Sequence, residues 1–234
     1  MHLLHTEQGV GSNPTITTKH KNKYSTTEDM YMSVHGYFST PIYDNTLVGA
    51  ELVAVQEELD QVVADLKSKD SFKHNEQWLP NTHKLSDTTF SQNLLLDYNT
   101  THFIDALKFH VFNYVKILGV PEMKTQQFSI RQSWMTNTGK HEFAHTHNHG
   151  SVDIAGVYYY KTNGEDGSIN FMNPVAQFST YLLEHLPNNV SYEPKVGKII
   201  LFPGWMDHGV PANYTDNERI SISFNINFKR SEFS

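Results

Sequence analysis

Residues 219–228, RISISFNINF, alternate apolar and polar side chains over ten positions. Only an extended strand gives side chains a period of two, so the run predicts a strand with one face turned to a core. Four more β-rich runs precede it: QQFSIRQSWMT, DIAGVYYYK, GSINFMN and GKIILFPG, separated by Gly, Asn and Pro turn signals. Residues 126–234 therefore read as an antiparallel sandwich or jelly roll.

The preceding residues follow a different grammar. In LVGAELVAVQEELDQVVADLKSK, Leu52, Val55, Leu59, Val62 and Leu66 recur at steps of three and four, which is one apolar helical stripe facing a core. THFIDALKFHVFNYVKILGVP predicts a second helix, with Thr101 as N-cap, Gly119 as stop and Pro121 just beyond. His110 in that helix reads as a packing residue. An aromatic run at residues 34–44, VHGYFSTPIYD, is strand-like up to Pro41. Residues 1–30 read as a polar leader, partly disordered, ahead of a single domain over 31–234. In that domain residues 31–125 are a strand plus helical support, and residues 126–234 are the jelly-roll core.

Composition narrows the function. A formal charge of −7 and the lack of a Lys/Arg cluster argue against nucleic acid as a partner. No apolar run approaches the roughly 20 residues that span a bilayer. Cysteine is absent, which removes disulfides, thiolate ligands and a Cys nucleophile. A cytoplasmic protein is the simplest expectation, in a host cytoplasm if the gene is viral. The acidic ELVAVQEELDQVVADL helix could pair with itself, so a homo-oligomer stays open.

HEFAHTHNHG, residues 141–150, holds four of the fourteen histidines. In an extended segment His147 and His149 point to one face and can converge on one ion, for which neutral imidazole is the commonest ligand. Further on, LFPGWMDHGVPANYTDNERISISFN places His208 after an apolar strand, and Arg219 and Ser221 in the alternating run. A buried Arg at the start of a core-facing strand needs an anionic partner. That partner is either an internal carboxylate or a bound one held bidentately, with the Ser hydroxyl adding a bond.

Two His at i and i+2, a distant third His, and then Arg-x-Ser form a pattern that resembles the 2-oxoglutarate- and iron(II)-dependent oxygenases. It looks closest to prolyl-hydroxylase-like members of phages and marine bacteria. GVYYYK, FPGWMDHGV and ERISISFNI are its most specific pieces, and the aromatic run near residue 40 is similar to the start of such proteins. The resemblance implies an α+β, mainly β fold, a double-stranded β-helix (jelly roll, cupin-like) with supporting N-terminal helices. It implies Fe(II) as cofactor, 2-oxoglutarate and O2 as cosubstrates, and hydroxylation of an unidentified substrate. Position by position, His147, His149 and His208 fall on the metal ligands, Arg219 and Ser221 on the grip for the far carboxylate of 2-oxoglutarate, and Tyr159 on a weaker contact to it.

The sequence departs from the family where a carboxylate ligand is expected, since His149 stands there. Three ligand sets remain: His147, His149 and His208; Asp153 replacing His149; or a register pairing His145 with His147. Otherwise His141 and His145 are loop residues or residues that orient the ligands. A three-His site also suits zinc, so a zinc hydrolase or lyase with Asp207 or Glu142 as base is one alternative. A non-catalytic ligand-binding jelly roll is another. Trp134, Tyr159 and Trp205 are candidates for lining the approach, with NTGKHEF and NPVAQFSTYLLEHLPNNV as segments over the mouth.

Overall fold

The computed structural model describes residues 15–19, 31–35, 40–86, 93–121, 127–174 and 188–229, the first two stretches as backbone. Strands β1 (Thr15–Lys19) and β2 (Tyr31–His35) form an antiparallel ribbon of their own. The expected leader therefore contains a strand, and its pairing crosses the boundary placed at residue 30. Of the strand-like run over 34–44, Val34 and His35 belong to β2, Tyr43 and Asp44 belong to the next strand, β3 (Tyr43–Thr46), and residues 36–39 lie outside the described residues.

Helix α1 (Gly49–Ser68) buries Val55, Leu59, Val62 and Leu66 of the stripe read from the sequence, with Leu52 packed at its edge and Val63 buried beside them. The hairpin of β4 (Phe72–His74) and β5 (Lys84–Ser86) and the short α2 (Leu94–Asp97) lead to α3 (Thr101–Ile117). Thr101 is not the cap of α3. The helix starts there, Thr100 precedes it without a side-chain cap, and the Glu58 carboxylate of α1 accepts the His102 and Phe103 backbone N–H groups at 2.9 and 3.0 Å. A carboxylate at a helix N-terminus satisfies orphan donors and meets the positive end of the dipole, and here it also ties the two helices together. Gly119 ends the helix at φ +68, a left-handed position that suits glycine.

The remaining strands alternate between two sheets. They are β6 (Phe128–Thr138), β7 (Ala144–His147), β8 (Ile154–Lys161), β9 (Ile169–Met172), β10 (Asn189–Tyr192), β11 (Lys198–Pro203), β12 (His208–Val210) and β13 (Arg219–Phe228). One sheet runs β3-β11-β8-β13-β6-β5-β4 and the other β10-β9-β12-β7, with every pairing antiparallel. This is the double-stranded β-helix, with β5 and β4 extending the larger sheet on one side and β3 on the other.

The larger sheet is buried on both faces. Ile220, Ile222, Phe224 and Ile226 of β13 join Tyr158, Ile199 and Leu201 in one core with α1 and α3. Ala155, Val157 and Tyr159 of β8, with Ile200 and Phe202 of β11, face Ile169 and Phe171 across the roll in a second core. Each fully buried Ile or Phe contributes about 1.5–3 kcal/mol. Gly156 lets the first core close, since a Cβ there would lie 2.4 Å from the Phe224 ring. The polar half of β13 is also inside: Arg219, Ser221 and Asn225 are buried, within the roll. His110 is a core residue as read, its Nδ1 bonded to the Tyr43 hydroxyl at 2.7 Å. No described helix is long and apolar enough to cross a membrane.

Candidate metal and cosubstrate site

The antiparallel register of β12 against β7 sets His208 directly opposite His147, with ring centroids 4.4 Å apart. His149 follows two residues beyond β7, where its backbone N–H donates to the Gly204 carbonyl at 2.7 Å. That bond turns the chain back so that the His149 ring lies parallel to His208, 5.1 Å between centroids. Asn148 Nδ2 donates to Asp207 Oδ1 at 2.7 Å, lacing together the two segments that carry the histidines.

The ring nitrogens have an order. His147 Nδ1 lies 2.8 Å from the His145 carbonyl and His208 Nδ1 lies 2.9 Å from the Met206 carbonyl. A carbonyl only accepts, so each Nδ1 carries the proton and each Nε2 is bare. The Nε2 atoms of His149 and His208 are 3.3 Å apart, and one ring nitrogen from each of the three residues lies within 4.8 Å of the others. Two nitrogens each about 2.1 Å from one ion lie about 3.0–3.4 Å apart for angles between 90° and tetrahedral. Burial is the main cause that lowers their pKa values, with His147 adding repulsion to the other two and His145 to His147: His208 falls to about 3, His149 to about 4, and His147 below its ordinary value. All three are neutral donors at pH 7, as ligation requires.

The other end of the same cavity is built on β13. Arg219 is 3% exposed, yet among the described residues no carboxylate pairs with it. Its guanidinium donates to the Asp166 carbonyl, to the Gly167 carbonyl at 3.0 Å and to Thr138 Oγ1 at 3.2 Å. The Asp166 carboxylate is engaged elsewhere, by Thr162 Oγ1, the Asn163 N–H and Asn217 Nδ2. Gly167 adopts φ +115, and a Cβ there would lie 2.6 Å from Arg219 Nη1, so only glycine lets the guanidinium reach this turn. Ser221 shares a 2.6 Å hydroxyl contact with Thr136, and Tyr159 lies opposite Ser221 on β8. Burial raises the Tyr159 hydroxyl to about 12, with Arg219 opposing, so it stays protonated and can donate.

The cavity thus joins His147, His149 and His208 to Arg219, Ser221 and Tyr159. Asp153 and His145, the other two candidates for the third ligand, are not part of this cluster. Asp153 turns away, Oδ2 accepting the Phe228 N–H at 2.8 Å, and the His145 ring stands edge-on to Trp78. His141 sits at φ +65 against exposed Tyr214. Trp134 lines the cavity and stacks on His149, whereas Trp205 is half exposed and outside it. Glu142 accepts the Gly139 N–H and Asp207 is held by Asn148, so neither proposed base lines the cavity. Of the two segments placed over the mouth, 175–187 lies outside the described residues.

Sequence reasoning missed His83 and Trp78. His83 is buried in the wall, its Nδ1 bonded to the Phe143 carbonyl at 3.2 Å and its pKa lowered by burial to about 4. It is therefore a neutral ring with Nε2 as an acceptor. Nothing in PNTHKLS marks it, because the β4–β5 hairpin brings it in.

Residues 132–225 match the family model described as putative 2OG-Fe(II) oxygenase. No curated protein matches the chain. Among solved structures, a 2OG-Fe(II) oxygenase-family oxidoreductase from Burkholderia pseudomallei aligns at 15% identity and TM-score 0.35 over 43% of this chain, which spans 45% of that one. The non-heme alpha-ketoglutarate-dependent carbocyclase SnoK from nogalamycin biosynthesis aligns at 10% identity and TM-score 0.52, covering 80% of this chain and 79% of that one. A Pseudomonas putida prolyl-4-hydroxylase aligns at 10% identity and TM-score 0.52, covering 82% and 94%. At these identities the likeness is one of fold.

Proposed function

We infer that a chain whose residues 132–225 form a 2OG-Fe(II) oxygenase core works as an iron(II)- and 2-oxoglutarate-dependent dioxygenase, hydroxylating a substrate still to be identified. One observation carries the reading: a buried guanidinium that no carboxylate contacts among the described residues shares a cavity with three convergent neutral imidazoles. A dicarboxylate ketoacid answers both ends at once.

In this reading His147, His149 and His208 hold iron(II). Bound there with 2-oxoglutarate and O2, iron supplies oxidative decarboxylation coupled to hydroxylation of a C–H bond. The chain supplies the rest. Arg219 offers two N–H groups to the far carboxylate, Ser221 adds a hydroxyl bond, and Tyr159 can donate a fourth. The apolar wall of Val157, Ile169 and Phe202 keeps water from the carboxylate pair, which strengthens it. Trp134 and His83 remain for the substrate, one as a stacking face and the other as a hydrogen-bond acceptor. Three neutral ligands, a divalent ion and a dianionic ketoacid sum to zero charge, one unit more positive than a carboxylate-containing ligand set would give. The setting we propose is the cytoplasm.

The test is anaerobic iron(II) titration with and without 2-oxoglutarate, read by the weak visible metal-to-ketoacid charge-transfer band. The band is expected in the wild type and lost in His208→Ala. Its absence in the wild type, with zinc held stoichiometrically instead, would move the assignment to water activation.

A further inference from the structure

On β13 the side chains of Arg219, Ser221 and Ser223 line the cavity. The strand's period of two puts Asn225 next on that face. Asn225 is 4% exposed, and its Nδ2 donates to Gln132 Oε1 across the sheet at 3.2 Å. Its Oδ1 is buried and closes no hydrogen bond among the described residues. A buried amide oxygen left without a donor costs about 1–3 kcal/mol, so this position calls for one.

The neighbour able to donate is His149. Its ring stacks on Trp134 at 5.8 Å, and Trp134 stands opposite Ser223 and two residues along β6 from Gln132, the partner of Asn225. The Asn225 side chain also favours the protonated form of the His149 imidazole, the direction in which an acceptor beside the ring acts. The comparison within the triad adds a reason. His147 and His208 each give Nδ1–H to the carbonyl two residues back, whereas the backbone provides His149 with no such acceptor among the described residues.

We infer that Asn225 is a positioning residue for the metal centre: its Oδ1 accepts the Nδ1 proton of His149 and keeps Nε2 bare and aimed at His208. A neutral imidazole carries one proton, and without an acceptor on the far side it divides between two tautomers, of which only one can ligate through Nε2. The inference also explains how a histidine can stand where the family pattern has a carboxylate. An imidazole ligand needs an acceptor behind it, and Asn225 supplies that acceptor from the strand that also carries Arg219.

The inference rests on the metal-centre reading for its purpose, but the tautomer it assigns exists without metal, so the two can fail separately. The measurement is a long-range proton–nitrogen correlation spectrum of the metal-free protein at pH 7, with His149→Gln to assign the ring. Wild type should show His149 protonated on Nδ1. Asn225→Leu should mix the tautomers and weaken cobalt(II) binding, followed by its visible absorption, by about 10–100-fold. Asn225→Asp retains an acceptor and should bind cobalt(II) at least as tightly as the wild type. Equal cobalt(II) affinity in wild type and Asn225→Leu, abolished in both by His208→Ala, would overturn the inference. Should wild type bind no cobalt(II), or should Asn225→Leu not fold, the wild-type spectrum decides alone. His149 protonated on Nδ1 supports the role, and protonation on Nε2 refutes it.

Discussion

Arg219→Met separates what the guanidinium does for the fold from what it does for a ligand, because Met keeps the apolar stem and removes the charge. In the ligand-free protein two effects oppose. Three acceptors, the Asp166 and Gly167 carbonyls and Thr138 Oγ1, lose their donor, at up to about 1–3 kcal/mol each. Removing a buried charge that no carboxylate contacts, and on which Asp166 acts only at longer range, returns several kcal/mol. The net is small, and at about 2–4 °C per kcal/mol the melting temperature should stay within about 5 °C of wild type. With 2-oxoglutarate the effects no longer cancel. Truncating one member of a buried, hydrogen-bonded ion pair costs about 3–5 kcal/mol, or roughly a 10²- to 5 × 10³-fold weaker Kd. Anaerobic calorimetric titration on the iron(II) protein measures it. Pyruvate, which keeps the ketoacid end and lacks the far carboxylate, is the control. It should bind wild type and variant alike, so the coupling is assigned to the Arg219–carboxylate pair. Metal content should not change. If Arg219→Met binds 2-oxoglutarate nearly as well as wild type, or loses pyruvate to the same degree, the clamp is wrong. If the variant does not fold, Arg219 is a structural tie.

Two more expectations follow from the same contacts. His83, His149 and His208 have pKa values lowered from 6.5 to about 4, 4 and 3. Between about pH 6.5 and 4 the unfolded chain therefore binds more protons than the folded one, and stability falls as pH falls through that window. Metal-free unfolding followed by circular dichroism should take up about three protons from these rings near pH 5, with His147 and His110, lowered in the same direction, adding to them, and flat stability from pH 7 to 4 would contradict the burial of these rings. Glu58→Ala leaves two N–H groups of α3 without an acceptor and should cost about 1–2 kcal/mol. The melting temperature should drop by about 3–6 °C with cobalt(II) affinity unchanged. An unchanged melting temperature would mean that water caps the helix as well as the carboxylate does.

What was legible in the sequence was whatever repeats locally. The α1 stripe and the β13 alternation give their elements directly, because periods of 3.6 and 2 are consequences of backbone geometry. The His147–His149 pair, the distant His208 and the Arg219-x-Ser221 step were legible as spacings. The Glu58 cap was not, because it joins residues more than forty positions apart and Thr101 offered a local answer. His83 and Trp78 enter through a hairpin whose contact with the cavity has no periodic signature. Asn225 was readable in principle, being the next residue on the face of Arg219, Ser221 and Ser223, but an alternating strand invites the assumption that its polar face meets water. Here that face is the wall of the cavity.

The place of β13 in the sheet also bears on how the protein is made. It is the last of the described strands to be synthesised, yet it lies between β6 and β8. A growing chain therefore cannot finish the larger sheet by adding strands in order, as a meander would. Until residues 219–228 leave the ribosome, β6 and β8 have no strand between them, α1 and α3 lack the Ile and Phe side chains they pack on, and the cavity lacks its guanidinium. Contacts between distant parts of a chain form slowly, and a sheet waiting for its middle strand exposes two unpaired edges meanwhile. The strand that completes the sheet also completes the site, so a nascent chain has neither before the other.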